Sequence, residues 1–246
     1  MRARNTGTSD PVRRFGPVNR LLAALPAAEL DVLRPDLEAV PLTPPGLIHE
    51  PDEPIAFVLF PHAGVVSLVR TMEDGGIAEV ATVGPEGMVG LPLVLDGDRM
   101  AVRAHVQVPG TASRMGADAF RRALGHTPCL RRLLSRYALA FVDDLAGNVA
   151  CGRMHEAGPR LARWLLATAD RVGAESFPLT QEFMAQMLGV SRPTVSIAAG
   201  LLQRAGLVTY MRGRITVTDR PGLEAASCEC YRVARRAFAR VADEKG

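Results

Sequence analysis

The strongest constraint on the fold is the range Leu179–Val208, where polar caps, glycine and apolar residues follow one another at set intervals. Thr180 is suited to cap the start of a first helix, and Gly189 permits the left-handed conformation that ends it. Ser191 is suited to cap a second helix that holds Pro193 in its first turn. The pattern predicts two short helices joined by a tight turn, the helix-turn-helix arrangement.

The side chains between these caps divide into an inward and an outward set. Small Ala185 lets the second helix pass closely over the first, and Val190 fills the turn. The inward set, which the two helices must share as a core, is Met184, Leu188, Val195, Ala198 and Leu202. The second helix is left with an outward set: Arg192, Ser196, Ile197, Gly200 and Arg204.

An outward set of this kind fits the major groove of DNA. Arg192 is predicted to contact a guanine and Ile197 a thymine methyl, while Thr194 and Ser196 are suited to a phosphate or a base. The predicted DNA-binding residues are Thr180, Ser191, Arg192, Pro193, Thr194, Ser196, Ile197, Arg204, Arg212 and Arg214. The alternative interpretation is a two-helix corner of an unrelated fold.

A hairpin is predicted directly after the second helix. Its strands are Val208–Met211 and Ile215–Thr218, and Arg212-Gly213-Arg214 forms its tip. A cationic tip suits a phosphate or the neighbouring minor groove. The hairpin therefore completes a winged helix-turn-helix.

Charge supports an anionic partner for the second part of the chain. Residues 1–120 hold 10 basic and 15 acidic side chains, whereas residues 121–246 hold 19 basic and 11 acidic. The positive charge is densest over residues 121–172, ahead of the helix-turn-helix. With 48% hydrophobic and 22% charged residues, the composition is that of a globular protein.

Targeting and membrane signals are not evident in the sequence. No run approaches the roughly 18–20 apolar residues of a membrane span, and the N-terminus has no apolar signal segment. The four cysteines do not form a small-domain disulfide framework. We therefore expect a cytoplasmic, reduced protein that does not bind a membrane.

The first half of the chain has the sequence pattern of a β domain. Residues 1–17 are predicted to be a flexible arm, and residues 18–38 to form short helices broken by prolines. Short apolar runs then alternate with turn-like pieces such as Pro61–Gly64, which predicts a sandwich or barrel. The predicted strands are Ala56–Phe60, Val65–Val69, Ala78–Val83 and Val102–Val108.

A long helix is predicted from Pro128 to about Ala150. Apolar residues recur along it at the spacing of a helix-pairing seam. The predicted dimerisation residues are Leu130, Leu134, Tyr137, Phe141, Leu145 and Asn148, with Asn148 adding register specificity. Ordinary core is the alternative, but a single helix between two domains would expose this stripe, so we expect a second subunit to cover it.

Together these features resemble the Crp/Fnr superfamily of bacterial transcription regulators. The resemblance covers nearly the whole chain and includes Arg160–Leu166, Leu179–Val208 and Val83–Leu91, while Cys228–Tyr231 is similar to one branch. It implies an α+β fold with an N-terminal β jelly-roll of the cyclic-nucleotide-binding type, a central dimerisation helix and a C-terminal winged helix-turn-helix. The expected divisions are 1–17 (arm), 18–125 (sensor domain), 126–152 (central helix) and 153–246 (DNA-binding domain).

The resemblance also implies partners. The first is a second copy of the chain, with which it forms a homodimer. The second is double-stranded DNA that contains a two-fold symmetric operator. RNA polymerase and an unidentified small-molecule effector are further candidates. A constitutive regulator without an effector is one alternative, and a β-barrel enzyme with an appended nucleic-acid module is another. The sequence contains no nucleophile elbow, P-loop or dinucleotide fingerprint, so no catalytic residues are predicted.

The chain departs from the cyclic-AMP-binding members of the superfamily at the phosphate cassette. Leu91 stands where those members have the ribose-binding Glu, and Met100 and Ala101 fall near the phosphate-binding Arg position. Control by cyclic AMP is therefore not expected, since an apolar residue cannot neutralise a phosphate. The residues of a candidate degenerate ligand pocket are Glu86, Leu91, Arg99 and Arg103.

The cysteines and histidines do not predict a cofactor. The first cysteine is Cys129, which excludes the N-terminal cysteine cluster of the iron–sulfur members. Cys151 and His155 are four apart on a helix, but two ligands do not make a metal site. Cys228 and Cys230 are interpreted as packing residues, so no metal and no cofactor are predicted.

Overall fold

The computed structural model describes residues 19–243, so the predicted arm, residues 1–17, lies outside the described residues. The α+β fold class is confirmed. The helices of the described range are α1 (Arg20–Ala23), α2 (Ala27–Leu33), α3 (Ala117–His126), α4 (Pro128–Met154), α5 (Ala157–Val172), α6 (Gln181–Leu188), α7 (Arg192–Arg204), α8 (Arg220–Ala226) and α9 (Cys230–Ala239). The strands are β1 (Glu38–Leu42), β2 (Leu47–His49), β3 (Phe57–Thr71), β4 (Ile77–Val83), β5 (Arg103–Gly116), β6 (Ser176–Pro178), β7 (Val208–Met211) and β8 (Arg214–Val217).

An antiparallel sheet forms the N-terminal domain. Its strand order is β1-β5-β3-β4, and β2 also pairs with β5. Apolar side chains from β3 and β5 meet those of α1, α2 and α3 in one core, in which Phe60 and Phe120 lie with their ring centroids 6.4 Å apart. The sheet therefore forms the surface on which these three helices pack.

The prediction of a turn at Pro61–Gly64 was wrong, because β3 runs through it as one strand. Three shifts of register against β5 absorb the irregular residues there. Gly64 has φ +90°, and a Cβ on it would lie 2.7 Å from the Val108 carbonyl oxygen. Proline and glycine mark bulges between closely approaching strands here, not a chain reversal.

The long helix α4 begins at Pro128 and ends at Met154, and its inward face packs on the N-terminal domain of the same chain. Leu130, Leu134, Tyr137 and Phe141, predicted as a seam between subunits, are buried in that core. This corrects the predicted seam for these four residues, because side chains already covered by their own chain are not available to a second copy.

The last two predicted seam residues also face inward. Leu145 packs partly buried against the same core. Asn148 donates to the Val80 carbonyl on β4 at 3.2 Å and accepts from the Arg163 guanidinium at 2.8 Å. The amide of Asn148 thus links three elements of one chain, so its predicted role in register between subunits is not supported.

The C-terminal domain surrounds a second core. Trp164 and Leu165 of α5 lie in it, and β6, β8 and β7 form its small sheet in that order. Val65 of β3 also belongs to this core, so the two domains share apolar contacts. Helix α9 returns to α4, where the Phe238 ring lies 6.1 Å from the Tyr137 ring.

Candidate nucleic-acid interface

The ends of α6 and α7 are capped as the sequence predicts. Thr180 accepts from the Phe183 backbone N–H at 3.1 Å, and Ser191 accepts from the Thr194 N–H at 3.3 Å. Gly189 ends α6 with φ +62°, a conformation that glycine adopts without steric strain. Since each cap satisfies an N–H that has no partner in its helix, the turn between the helices has a defined geometry.

The core between the two helices is also as predicted. Ala185, where a larger side chain would push the helices apart, is buried, and Val190 packs partly buried in the turn. The side chains of the predicted inward set are all buried: Met184, Leu188, Val195, Ala198 and Leu202. Anchoring α7 on this side fixes which residues it presents outward.

The outward face of α7 carries two cations and a strip of apolar surface. Arg192 is exposed at its first position and Arg204 in its last turn. Ile197 is 65% exposed between them, and Leu201, which the sequence analysis did not single out, is exposed one turn later. This mixture suits base edges and thymine methyl groups in a major groove.

The structure modifies the prediction for Ser196. Its hydroxyl donates to the Gln181 side-chain oxygen at 2.9 Å, and the residue is partly buried. The bond ties α7 to the start of α6. Thr194 is also partly buried, and Pro193 is exposed in the first turn.

The wing is a hairpin with a two-residue turn. Arg212 has φ +49° and Gly213 φ +73°, as turns of the primed type require for a right-handed strand twist. Arg212 is exposed at the tip, whereas the Arg214 guanidinium donates to the Ser176 carbonyl on β6 at 3.3 Å. The structure thus places Arg212 in the turn at the tip, whereas Arg214, the first residue of β8 and the partner of Met211, directs its guanidinium back to β6.

The candidate ligand pocket does not assemble. Arg103 pairs with Glu50 at 2.8 Å, and Arg99 donates to the Asp52 carbonyl at 2.8 Å. Leu91 is buried in the N-terminal core. These three residues line none of the cavity that Glu86 lines, so the prediction of one pocket for the four was wrong.

Glu86 instead forms part of the contact between the domains. Its carboxylate accepts from the Arg171 guanidinium of α5 at 2.7 Å, and both side chains are nearly buried. Arg171 also donates to the Thr82 hydroxyl at 2.7 Å. Pairing of this kind satisfies two charges that would otherwise be costly to remove from water.

A second polar contact between the domains centres on Glu79 of β4. Its carboxylate accepts from the Trp164 indole N–H at 2.9 Å and from the Ser67 hydroxyl at 2.6 Å. Burial raises the pKa of Glu79 to about 7 despite these hydrogen bonds and the neighbouring arginines. Glu79 and Glu86 both line a cavity of about 560 Å³ between the domains, and sequence reasoning found no role for Glu79.

The structure also unites two pairs of residues that were interpreted separately. The Cys/His cluster consists of Cys151, His155, Cys228 and Cys230. Their ligand atoms all lie within 4.8 Å of one another, although the pairs are separated by α5 and the whole helix-turn-helix. A Cys-His pair at helical spacing together with a Cys-x-Cys pair was the available signal.

Among residues 19–243, no helix is long and apolar enough to cross a membrane. The described elements form an antiparallel β domain, a long helix and a winged helix-turn-helix. Two family models match this architecture. A Crp-like helix-turn-helix domain matches residues 159–226, and a cyclic nucleotide-binding domain matches residues 43–127.

Individual relatives agree with these matches. A CRP-like cAMP-activated global transcriptional regulator from Mycobacterium tuberculosis is 26% identical over 164 residues, which cover 64% of this chain and 73% of that protein. FixK2 from Bradyrhizobium japonicum has a TM-score of 0.67 at 19% identity, covering 78% of this chain and 98% of FixK2. A Crp/Fnr family regulator from Eubacterium rectale has a TM-score of 0.64 at 17% identity, covering 84% and 96%.

The chain therefore contains a cyclic nucleotide-binding domain and a Crp-like helix-turn-helix domain, and in this architecture it is similar to the Crp/Fnr transcription regulators.

Proposed function

We propose that the protein binds a two-fold DNA operator as a homodimer, with α7 of each subunit in the major groove. The single observation that carries the proposal is the outward face of α7. Arg192, Ile197 and Arg204 are exposed on it, whereas the side chains of the opposite face are buried in the core of the domain. In a two-fold complex the two helices would enter successive major grooves about 34 Å apart.

The proposed contacts differ in kind. Arg192 reads a guanine and Ile197 a thymine methyl, whereas Arg204 and Arg212 contact phosphates. At Thr180 and Ser191 the capped N-termini of α6 and α7 face the phosphate backbone of the DNA, and Pro193 and Thr194 lie beside them. The side chains of Ser196 and Arg214 already form hydrogen bonds within the domain. We therefore propose that these two residues hold α7 and the wing in position for DNA.

The dimer interface we propose is the outward face of α4, defined by Leu139, Val142, Ala146 and Val149. These residues recur at intervals of three and four, and Leu139, Val142 and Val149 are 65%, 55% and 64% exposed. Such spacing is that of a helix-pairing seam, and a second copy of α4 supplies the matching face.

Control by cyclic AMP is not part of the proposal, although the Mycobacterium tuberculosis relative is described as cAMP-activated. Leu91 is apolar and buried, and Arg99 and Arg103 are engaged by Asp52 and Glu50. The residues at the cassette positions therefore present no free charged side chain to a cyclic phosphate. A different effector, or none, remains compatible with the fold.

We further infer a cytoplasmic regulator that acts by binding DNA and RNA polymerase and not as an enzyme. The domain ranges we propose are 18–125, 126–152 and 153–246. Transcription regulators among the relatives support this view.

The experiment that tests the proposal selects genomic fragments bound by the full chain at a stated salt concentration and footprints them. We expect a two-fold site. Arg192→Ala should weaken specific binding by about 1–3 kcal/mol and relax one base position in each half-site. Arg122→Ala, which removes the same charge from α3, is the matched control and should change neither. Unchanged base discrimination by Arg192→Ala would contradict the role of α7, and an unsymmetric footprint would contradict the dimer.

A further inference from the structure

We propose that the Cys/His cluster binds a structural Zn(II) ion. Cys151 lies in the last turn of α4 and His155 caps that helix, so their spacing of four places both on one face. Cys228 precedes α9, and Cys230 is its first residue. Two elements distant in the sequence thus present two ligands each to one point.

Two distances within the cluster are close to those of tetrahedral coordination. The Cys151 and Cys228 sulfurs are 3.6 Å apart, and the Cys230 sulfur is 3.7 Å from Nδ1 of His155. Zn–S bonds of about 2.3 Å place two tetrahedral sulfurs about 3.8 Å apart, and a Zn–N bond of about 2.0 Å gives a sulfur–nitrogen separation of about 3.5 Å. All four ligand atoms lie within 4.8 Å of one another, so small side-chain movements would close them around one zinc ion.

The neighbour of His155 supports its role as a ligand. Its Nε2 lies 3.2 Å from a carboxylate oxygen of Glu229. A zinc-bound imidazole usually donates its second N–H to a carboxylate or carbonyl, which fixes the tautomer and the ring orientation. With Nε2 held by Glu229, Nδ1 is directed at the three sulfurs.

The donor set determines the kind of site. Three thiolates and an imidazole are soft and borderline ligands, which favour zinc over magnesium or calcium. Four protein ligands leave no open position, and Cys151 and Cys228 are buried, so the site is structural and not catalytic. Cys129, the remaining cysteine, lies apart and is not a member of the cluster.

The position of the cluster indicates what the zinc would hold together. The Cys228 backbone N–H donates to the Pro159 carbonyl in the first turn of α5 at 3.4 Å. Phe238 at the far end of α9 packs on Tyr137 of α4. Zinc would therefore fasten α9 to the joint between the long helix and the DNA-binding domain.

The first test measures metal in the full chain without DNA, so its outcome is independent of the proposed function. Protein reconstituted with Zn(II) under reducing conditions and desalted should retain about one zinc per chain by plasma mass spectrometry. Co(II) in place of zinc should give the visible bands of a tetrahedral site and a thiolate-to-cobalt charge-transfer band. Failure to retain zinc, or a six-coordinate cobalt spectrum, would overturn the proposal, as would a Cys151–Cys228 disulfide forming in a protein that retains no zinc.

Variants locate the site. Cys228→Ser and Cys230→Ser should lose the stoichiometric zinc, whereas Cys129→Ser, the same change outside the cluster, should keep it. Because a ligand variant can also fail to fold, Glu229→Gln provides an independent measure. The Glu229 side chain is 63% exposed, and its replacement should leave the fold intact while weakening zinc affinity by about 10- to 100-fold in chelator competition. Zinc retained by both ligand variants, or an affinity unchanged in Glu229→Gln, would overturn the assignment.

Discussion

The two faces of α4 carry apolar residues at similar spacing but have different surroundings. The inward face, with Tyr137 and Phe141 near its middle, is covered by the sheet domain and by α9. The outward face, from Leu139 to Val149, is covered by nothing among residues 19–243. A helix between two domains can thus bury one apolar face in its own chain and leave a second apolar face exposed.

Periodicity alone does not distinguish these faces. Residues three and four apart line up on any side of a helix, so the same rule selects the inward and the outward stripe. The inward stripe has the larger side chains and therefore dominates the pattern in the sequence. Smaller Val142 and Ala146 mark the face that we propose for a second copy, whose close approach they permit.

The largest effect is expected on the inward face. Phe141→Ala should lower the free energy of unfolding by about 3–5 kcal/mol, because it removes a buried ring that packs 6.0 Å from Tyr137 and leaves a cavity. Denaturant unfolding of the full chain measures this. Leu95→Ala, a truncation of an exposed side chain, is the control and should change stability by less than about 0.5 kcal/mol. Equal effects of the two variants would contradict the burial of the inward face.

A change in assembly with little change in folding is expected on the outward face. The double variant Leu139→Glu and Val142→Glu places charges where two helices would meet, so sedimentation velocity should show monomers in place of the dimer that we propose for the wild type. The same two charges at exposed Leu47 and Leu95 serve as the control and should leave the dimer intact. Dimers of the α4 variant would assign the interface elsewhere.

Local features of the fold followed from the sequence. The helix-turn-helix could be predicted to individual residues because caps, turn glycine and core positions lie within one short range, and each has a local physical requirement. Thr180, Gly189 and Ser191 act as expected. The exposure of Arg192 followed from the same periodicity.

Contacts between distant parts of the chain could not be predicted in this way. No local rule places Glu79 of β4 against Trp164 of α5, or Cys151 beside Cys228. A pair of candidate metal ligands looks incomplete until the fold supplies the second pair. Arg99 and Arg103 illustrate the converse, because their closeness to the cassette in the sequence did not bring them to the cavity of Glu86.

The smallest effect is expected at Glu79 of β4, which precedes Val80, the residue that accepts from Asn148 on the inward face of α4. Burial raises the pKa of Glu79 from 4.5 to about 7, although Arg163 and Arg171 on α5 oppose the shift. Between these values the folded chain keeps a proton that the unfolded chain has lost, so stability falls as the pH rises from about 4.5 to 7. Above pH 7 the loss is complete and the contribution is constant.

Glu79→Gln removes this titration while keeping a side chain of the same size that can accept from the Trp164 indole. The stability of the wild type relative to the variant should therefore decline between pH 4.5 and about 7 and level off above it. Denaturant unfolding across that range measures the difference in free energy of unfolding between wild type and variant. The contributions of the other titrating groups are common to both proteins and cancel. Glu73→Gln in the exposed β3–β4 turn removes the same formal charge and is the control. A difference between wild type and Glu79→Gln that does not change with pH would mean that the Glu79 carboxyl is solvated in the folded chain and not buried between the domains.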